Sequence, residues 1–351
     1  SQSLALFTPV EIERIEATDL MLELSAWGYP VLSEAPWLEV DWLDAPPAHH
    51  LAHARQALQG IGAIGRNGQL TAHGQDILNF GLDWRSAHMV LHCLDISSEM
   101  AVTAAILAAL LGERDVLRQA DSVDVRLRVD AVLAHCHGKF SREGYHQGAL
   151  HNVAQTVQRV CRQFALDLPE QVSDATLLQA CLAGFAERLA KRTAKGYTMA
   201  MGRGVSLDDT DSVSRYEWCV VLDAHAQQSQ GRVFLAMPIK DTEVLSQLNT
   251  DVTIKAQYHN NVLRIVERTT FGALTVAEKP LNSPKPDIYQ KALSDVLQTQ
   301  GLGLLRWDEP CERWLSRVKW LGTTCPDRFP QIDEAYLLQH IDTWLLAYQP
   351  P

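Results

Sequence analysis

A chain of 351 residues with 46% hydrophobic and 21% charged residues is longer than one hydrophobic core usually serves, so we expect a globular protein of about two to four domains. Its formal net charge of −11 argues against a protein that coats DNA. No apolar run is long enough to span a bilayer, and the N-terminus lacks the pattern of a signal peptide, which predicts a cytoplasmic protein without a membrane partner.

The first predicted module combines three helices with a tight hairpin. We expect Thr18 to cap the first helix, and the apolar residues of the second helix recur at the spacing of one buried face. Asn67-Gly68 then predicts a two-residue hairpin turn, after which Thr71 is expected to cap a third helix. This order of elements predicts a winged-helix domain over residues 18–82.

The rest of the chain is predicted to be helical, then rich in β-strands, then helical again. Amphipathic patterns over residues 83–170 indicate a helical bundle. A further helix over 174–195 leads into about five or six short strands, which predict a small OB-like β-barrel within residues 171–282. Asn260-Asn261 is expected to form a turn between two of these strands, and residues 283–351 are predicted to be a C-terminal helical segment. The predicted fold class is therefore mixed and mainly α.

A local excess of positive charge lies at the end of the predicted helix over 174–195. Its cations recur at i, i+3, i+4 and i+7 beside a parallel apolar row, so one helix face packs and the other presents charge. Next to a barrel, such a face suits the phosphates of single-stranded nucleic acid, and Tyr197 adds a ring for stacking. A solvated helix face that only aids solubility explains the same charges, and the spacing leaves both interpretations open. The cations are Arg188, Lys191, Arg192 and Lys195, and Arg203 follows them.

Other motifs do not support catalysis. The G-I-G-A-I-G stretch over 60–65 matches the dinucleotide fingerprint, but a helix precedes it and a hairpin follows, so its glycines are predicted to end the helix. The stretch over 135–151 contains histidines and a cysteine without the paired spacing of zinc ligands, and is interpreted as an inter-helix loop. Neither a phosphate-binding loop nor a G-x-S-x-G motif occurs. We therefore predict no catalytic residue, metal site or cofactor in this chain.

The order of several segments resembles that of DEAH-box RNA helicases. WLDAPPAHHLAHARQALQGIGAIGRNGQLTAHGQDIL is similar to the winged helix that follows their second RecA-like motor domain. More narrowly, the segments ALLGERDVL, DVRLRVDAVL, FAERLAKR, GYTMAMGRGV, YEWCVVLDA, GALTVAEKPL and LLQHIDTWLLAYQ look like the bacterial HrpB subfamily. The resemblance extends from about Thr8 to Tyr348. GLDWRSAHMVL departs from the Pro-Arg-Leu pattern that is usual where the helical bundle begins.

This resemblance implies an ATP-dependent RNA helicase in which winged-helix, ratchet-like helical and barrel domains lie over the RNA channel of two motor domains. It also implies that residues 1–17 are a linker or the tail of the second motor domain, with the motor domains upstream of Ser1 and a further region beyond Pro351. ATP and magnesium then belong to the intact helicase, and this chain alone is expected to lack ATPase activity. By position, the resemblance implies RNA contacts by Arg114, Arg126 and Arg128, in addition to the basic segment that includes Gly202.

Our leading hypothesis is the RNA-binding accessory portion of an HrpB-like helicase, which holds single-stranded RNA, or DNA as a competing ligand, beside motor domains of the same polypeptide. The alternative is a stand-alone winged-helix/OB adaptor that binds a protein partner through its C-terminal helices. A third hypothesis is a metal hydrolase that uses the stretch over 135–151. Motor motifs in the upstream reading frame favour the helicase, whereas purified protein without zinc removes the hydrolase.

Overall fold

The computed structural model describes residues 10–13, 16–29, 42–118, 122–139, 143–225, 231–259, 262–305 and 307–348. The chain divides into two compact units, Ser1–Asp241 and Thr242–Pro351. This division falls inside the region 171–282 that was predicted to form one barrel. Within the described ranges, none of the helices combines the length and the hydropathy that crossing a lipid bilayer requires.

Three helices and a tight hairpin form the beginning of the first unit. The helices are α1 (Thr18–Ala26), α2 (Ala48–Gly60) and α3 (Ala72–Phe80). Thr71 caps α3 as predicted, because its side chain accepts a hydrogen bond from the Gly74 N–H at 3.1 Å. The predicted cap of α1 is wrong: Thr18 is the first helical residue, and its hydroxyl donates to the Glu16 carboxylate at 2.9 Å.

A hairpin is present between α2 and α3 as predicted, but its loop has three residues rather than two, because the Gly65 N–H donates to the Gln69 carbonyl at 2.8 Å. Ile64 and Leu70 form an antiparallel bridge, and the Gly68 N–H donates to the Gly65 carbonyl at 2.9 Å. Gly68 has a φ of 74°, a backbone conformation that favours glycine. The G-I-G-A-I-G stretch therefore ends α2 and enters this hairpin, as the sequence predicted.

The helical bundle comprises α4 (Trp84–Ile96), α5 (Ser98–Leu111), α6 (Val125–Cys136) and α7 (Gln147–Gln163), and α8 (Asp174–Phe185) follows it. Every residue of α5 from Met100 to Leu110 is buried, and the helix packs against α4, α7 and α8. A helix that is apolar all round belongs at the centre of its fold. The helices predicted over 84–167 are thus present, with α5 at the centre of the bundle.

The predicted helix over 174–195 is wrong beyond Phe185. A 3-10 turn over Ala186–Arg188 follows α8, and the chain then enters a β-strand. The physical reason is long-range pairing: Leu189 and Ala190 are buried in strand contacts with two neighbouring strands. Such tertiary contacts override the helix propensity of a short Ala-, Lys- and Arg-containing segment.

The predicted small barrel is confirmed, and it closes with five strands in the order β1-β2-β3-β5-β4. The strands are β1 (Leu189–Thr193), β2 (Gly196–Met199), β3 (Gly204–Ser206), β4 (Trp218–His225) and β5 (Gly231–Ile239). β3 and β5 pair in parallel, whereas the other neighbours are antiparallel. The barrel core includes Ala190, Tyr197, Met199, Val205, Cys219 and Val221.

The second unit contains a sheet of its own, which corrects the prediction that all strands up to residue 282 belong to the barrel. β6 (Asp251–His259), β7 (Val262–Phe271) and β8 (Leu274–Pro280) form an antiparallel sheet in sequence order. Short connections allow consecutive antiparallel strands to pair with each other, so this meander needs no barrel strand. The predicted turn at Asn260-Asn261 lies outside the described residues.

The second unit continues with the helices predicted at its C-terminal end. They are α9 (Pro286–Gln300), α10 (Glu309–Thr324), α11 (Glu334–Gln339) and α12 (Ile341–Trp344). Leu297, Ile341 and Leu346 form a small apolar core, against which Leu293 and Trp344 pack. α10 contributes little to burial, because Gly322 is its one buried residue.

Candidate nucleic-acid interface

The basic segment lies on the β1–β2 hairpin of the barrel rather than on a helix face. In the hairpin register, Lys191 opposes Thr198 and Arg192 opposes Tyr197. Neighbouring residues of a strand point to opposite faces, so the spacing that placed four cations on one helix face does not apply here. The segment instead distributes its charges over both faces and the tip of the hairpin.

Lys191 is a half-buried cation on the outer face of the barrel. Its Nζ lies 4.8 Å from the centroid of the Trp218 ring and 3.5 Å from the Glu217 carboxylate. A cation over an indole ring is attracted by the ring quadrupole. Lys191 is thus held in place by two partners, and part of its charge is neutralised by Glu217.

Arg192 and Lys195 expose their side chains at the tip of the hairpin. The Arg192 backbone N–H donates to the Glu217 carbonyl at 2.7 Å, which fixes the end of β1. The Thr193 hydroxyl donates to the Gly196 carbonyl at 3.1 Å, and Gly196 has a φ of 123° that allows the turn. The backbone of the tip is therefore ordered, while its two cationic side chains face solvent.

Arg188 lies at the other end of β1, where it is tied to the barrel wall. Its Nη1 donates to the Leu222 carbonyl at 3.0 Å. Its guanidinium also lies 5.3 Å from the Phe185 ring. Burial, together with the nearby positive charge of Arg85, lowers the pKa of Arg188. Through these contacts the Arg188 side chain links the 3-10 turn to β4, which is a structural role.

Arg85, on α4, completes this cluster and was not predicted. It lies 4.4 Å from the Trp84 ring and 5.2 Å from the Phe185 ring, and it forms an ion pair with Glu187. Its Nη1 also donates to the Gly184 carbonyl at 2.9 Å. These last partners lie about a hundred residues away in sequence, so no local spacing indicated the contact.

Tyr197 does not offer a ring for base stacking, which corrects the sequence prediction. Its side chain is 3% exposed within the barrel core. Its hydroxyl donates to the Tyr216 carbonyl at 2.6 Å and also lies 3.2 Å from the Val213 carbonyl. Burial raises the pKa of Tyr197 to about 12. The aromatic residue that followed the basic run in the sequence is a core residue because strand alternation directs it inward.

Arg126 and Arg128 are also structural residues rather than exposed cations. Arg128 is 2% exposed; its Nη2 lies 2.7 Å from the Asp115 carboxylate, and its Nη1 donates to the Ser122 and Asp124 carbonyls. Arg126 forms an ion pair with Asp174 and donates to the Val172 carbonyl. Both side chains are engaged by the segments around α6, and RNA contacts at these positions stay a prediction.

The two remaining predicted cations are exposed. Arg203 lies in the turn between β2 and β3, where its carbonyl accepts the Met199 N–H at 2.9 Å. Gly202, next to it, has a φ of 84° that the turn requires. Arg114 is exposed in the segment that follows α5. The accessible members of the predicted set are thus Arg192, Lys195, Arg203 and Arg114, with Lys191 half-buried.

Two histidines of the stretch over 135–151 make hydrogen-bond contacts to single partners. The His137 Nε2 is 3.0 Å from the Pro169 carbonyl, and the His151 Nε2 is 3.0 Å from the Gln155 side-chain nitrogen. Across the portion of the chain that the structure describes, no three His, Cys, Asp or Glu side chains are grouped so as to hold a metal ion.

Comparisons with known proteins agree with the resemblance found in the sequence. No family model matches the chain. The ATP-dependent RNA helicase HrpB of Escherichia coli strain K12 is 29% identical over 352 residues, which cover 96% of this chain and 39% of that protein. The chain thus spans about two fifths of the length of this relative.

Solved structures lead to the same family. A crystal structure of the E. coli DExH-box NTPase HrpB matches this chain with a TM-score of 0.66 and 26% identity. The superposition covers 98% of this chain and 40% of the HrpB chain. A structure of the E. coli DEAH/RHA helicase HrpB has a TM-score of 0.64 and 25% identity, with 97% and 40% covered. The predicted resemblance to the HrpB subfamily is therefore confirmed.

Proposed function

We propose that this chain is the nucleic-acid-binding accessory region of an HrpB-like ATP-dependent RNA helicase, and that it holds single-stranded RNA beside motor domains of the same polypeptide. Similarity to HrpB along 96% of the chain supports this assignment. In the proposed accessory region, residues 18–82 form a winged helix, α4 to α7 form a ratchet-like bundle, and β1 to β5 form an OB-like barrel. ATP and magnesium act in the motor domains.

The exposed tip of the β1–β2 hairpin is the observation that carries the proposed RNA contact. The chain has a net charge of −11, so its average field repels a phosphate backbone. Binding therefore requires a local concentration of accessible cations, and Arg192 and Lys195 are accessible at an ordered turn. Phosphate contacts of this kind are independent of base sequence, as guiding a strand requires.

Of the other predicted residues, some are proposed to contact RNA and others to hold the hairpin in place. Arg203 follows β2 and Lys195 precedes it, so roughly 13 Å of extended strand separates these exposed residues. Lys191 lies between the two ends, against Trp218. Arg188 holds the hairpin onto the barrel wall, and Tyr197 holds it from inside the core. In this proposal, RNA follows the exposed residues, whereas Arg188 and Tyr197 fix their positions.

A salt series with a labelled single-stranded RNA tests the proposal. We compare the parent chain with Arg192→Glu/Lys195→Glu. The log–log slope of affinity against salt is expected to become shallower by about 1.4 in the variant, since each lost phosphate contact removes about 0.7 on a single strand. The same series with a DNA strand of equal sequence measures how well DNA competes.

The matched control is Arg159→Glu/Arg162→Glu, which makes the same change of charge at two exposed positions of α7. A loss confined to the hairpin variant supports the proposed contact. Equal slopes in the parent and the hairpin variant contradict it, and an equal loss in both variants attributes the effect to net charge alone.

A further inference from the structure

α10 exposes two large aromatic side chains in the second unit. Trp314 is 58% exposed and Trp320 is 64% exposed. Tryptophan is highly buried on average, and exposed apolar surface that is not scattered singly marks binding sites. Because Gly322 is the one buried residue of α10, the packing of this unit does not account for the two indoles.

Positive charge accompanies the two indoles. Arg313, Arg317 and Lys319 are exposed, and the sequence contains no acidic residue from Arg313 to Cys325. The acidic residues of α10 are confined to its first turn, where Glu309 lies 3.7 Å from Arg313. In a chain of net charge −11, this half of α10 is a local cationic surface.

The spacing of these residues places them in one row. Trp314, Arg317 and Trp320 follow one another at intervals of three residues, which lie about 4.5 Å apart along a helix axis on one side of it. We call these three residues the Trp-Arg-Trp row. The half-buried apolar residues of α10 adjoin this row on the helix surface, and they are Leu315, Val318 and Leu321. The row therefore faces solvent with a cation between two indoles.

We propose that the Trp-Arg-Trp row binds single-stranded nucleic acid. Unpaired bases stack on the indoles of Trp314 and Trp320, while the Arg317 guanidinium contacts a backbone phosphate. Base–aromatic stacking tolerates any sequence, and its combination with cations is the usual chemistry of single-strand binding. The ligand class is that of the proposed function, but the residues belong to the other unit and none is shared with the hairpin.

A protein groove fits this row less well. A helix that docks into an apolar groove presents a continuous set of apolar anchors at i, i+3, i+4 and i+7. In α10 the middle of the exposed row is the cation Arg317, and the aliphatic residues beside the row are half-buried rather than exposed anchors. An alternation of flat rings and positive charge complements an alternation of bases and phosphates.

Binding of the full 351-residue chain to a labelled oligouridylate, and to inorganic polyphosphate as a ligand without bases, tests the inference. The variants are Trp314→Ala/Trp320→Ala, the aromatic replacement Trp314→Phe/Trp320→Phe, and Arg317→Glu. Trp27→Ala is the matched control, because Trp27 is 73% exposed in the first unit. All of these side chains are exposed, so circular dichroism is expected to show an unchanged fold.

We expect the double alanine variant to bind oligouridylate at least about fivefold more weakly, since one stacked base contributes that much or more. The phenylalanine variant retains most of the affinity, and neither double variant changes the binding of polyphosphate. Arg317→Glu weakens the binding of both ligands, whereas Trp27→Ala weakens neither. Parent-like RNA affinity in the double alanine variant overturns the inference and assigns the row to a protein partner. An equal loss for RNA and polyphosphate also overturns it, because stacking requires bases.

Failure here is distinguishable from failure of the proposed hairpin contact. If the hairpin variant binds like the parent while the double alanine variant loses affinity, the row stands and the hairpin contact fails. If instead the hairpin variant loses affinity while the double alanine variant binds like the parent, the proposed binding by the Trp-Arg-Trp row fails and the hairpin contact stands.

Discussion

Replacing Arg128 with methionine separates a structural role from an RNA contact. The guanidinium donates to two backbone carbonyls, those of Ser122 and Asp124, and pairs with the Asp115 carboxylate. Each hydrogen bond from a charged donor contributes at least about 1.5 kcal/mol, so the two carbonyls together account for about 3 kcal/mol. Asp115 is 40% exposed and keeps contact with water, so its lost ion pair adds little. The free energy of unfolding is therefore expected to fall by about 3 kcal/mol in Arg128→Met.

Urea unfolding followed by circular dichroism, with hydrogen exchange of the α6 amides as a local probe, measures this loss. Arg114→Met is the control: Arg114 is exposed, and such substitutions usually change stability by less than about 0.5 kcal/mol. If Arg128 instead contacts RNA, its variant keeps the parent stability and loses RNA affinity at low denaturant. That combination of results would refute the structural assignment.

Three further outcomes follow from buried groups. Tyr197→Phe is expected to lower the free energy of unfolding by about 1–2 kcal/mol without changing RNA affinity, because only core hydrogen bonds are lost. The folded pKa of Tyr197 is raised from 10.0 to about 12, so parent stability falls as pH rises through that interval, and alkaline unfolding of Tyr197→Phe lacks this component. Gly74→Ala places a Cβ 2.2 Å from the Ala63 carbonyl oxygen, and a thermal melt is expected to show a loss of about 1–3 kcal/mol; an unchanged melt contradicts this. His88 has a pKa lowered from 6.5 to about 4, mainly by burial and also by the neighbouring histidines. The unfolded state therefore takes up the proton first, stability falls as pH decreases from 6.5 to 4, and urea titrations of His88→Gln are expected to lose that dependence.

Local chemistry in the sequence predicted the parts of the fold that depend on near neighbours. The cap at Thr71, the hairpin around Asn67-Gly68 and the mostly apolar α5 each follow from residues a few positions apart. Most of the individual strands were also recognised, because short β-branched and aromatic segments indicate strands by themselves. Which strands share a sheet was not predictable, since β6 to β8 and the barrel strands have similar local patterns.

The basic segment leads from α8 into the barrel as predicted, but its local geometry was predicted wrongly. A helical period fits Arg188, Lys191, Arg192 and Lys195, so the spacing concealed the strand that barrel closure imposes on them. The same limit applies to burial: Arg128 looked like any arginine of an amphipathic helix, and its partners become apparent only when the segment before α6 folds back. Charge is visible in a sequence, whereas the partners that neutralise it come from the tertiary structure.

α8 continues into β1 through only the three residues Ala186–Arg188. At that junction the Phe185 ring lies near two guanidiniums, one from α4 and one from the turn itself. Hinges absorb large changes of φ and ψ in loop or terminal residues, and here those residues are held by side chains from both neighbours. We therefore expect the bundle and the hairpin to move together at this junction, so that a displacement of α4 also displaces Arg192 and Lys195.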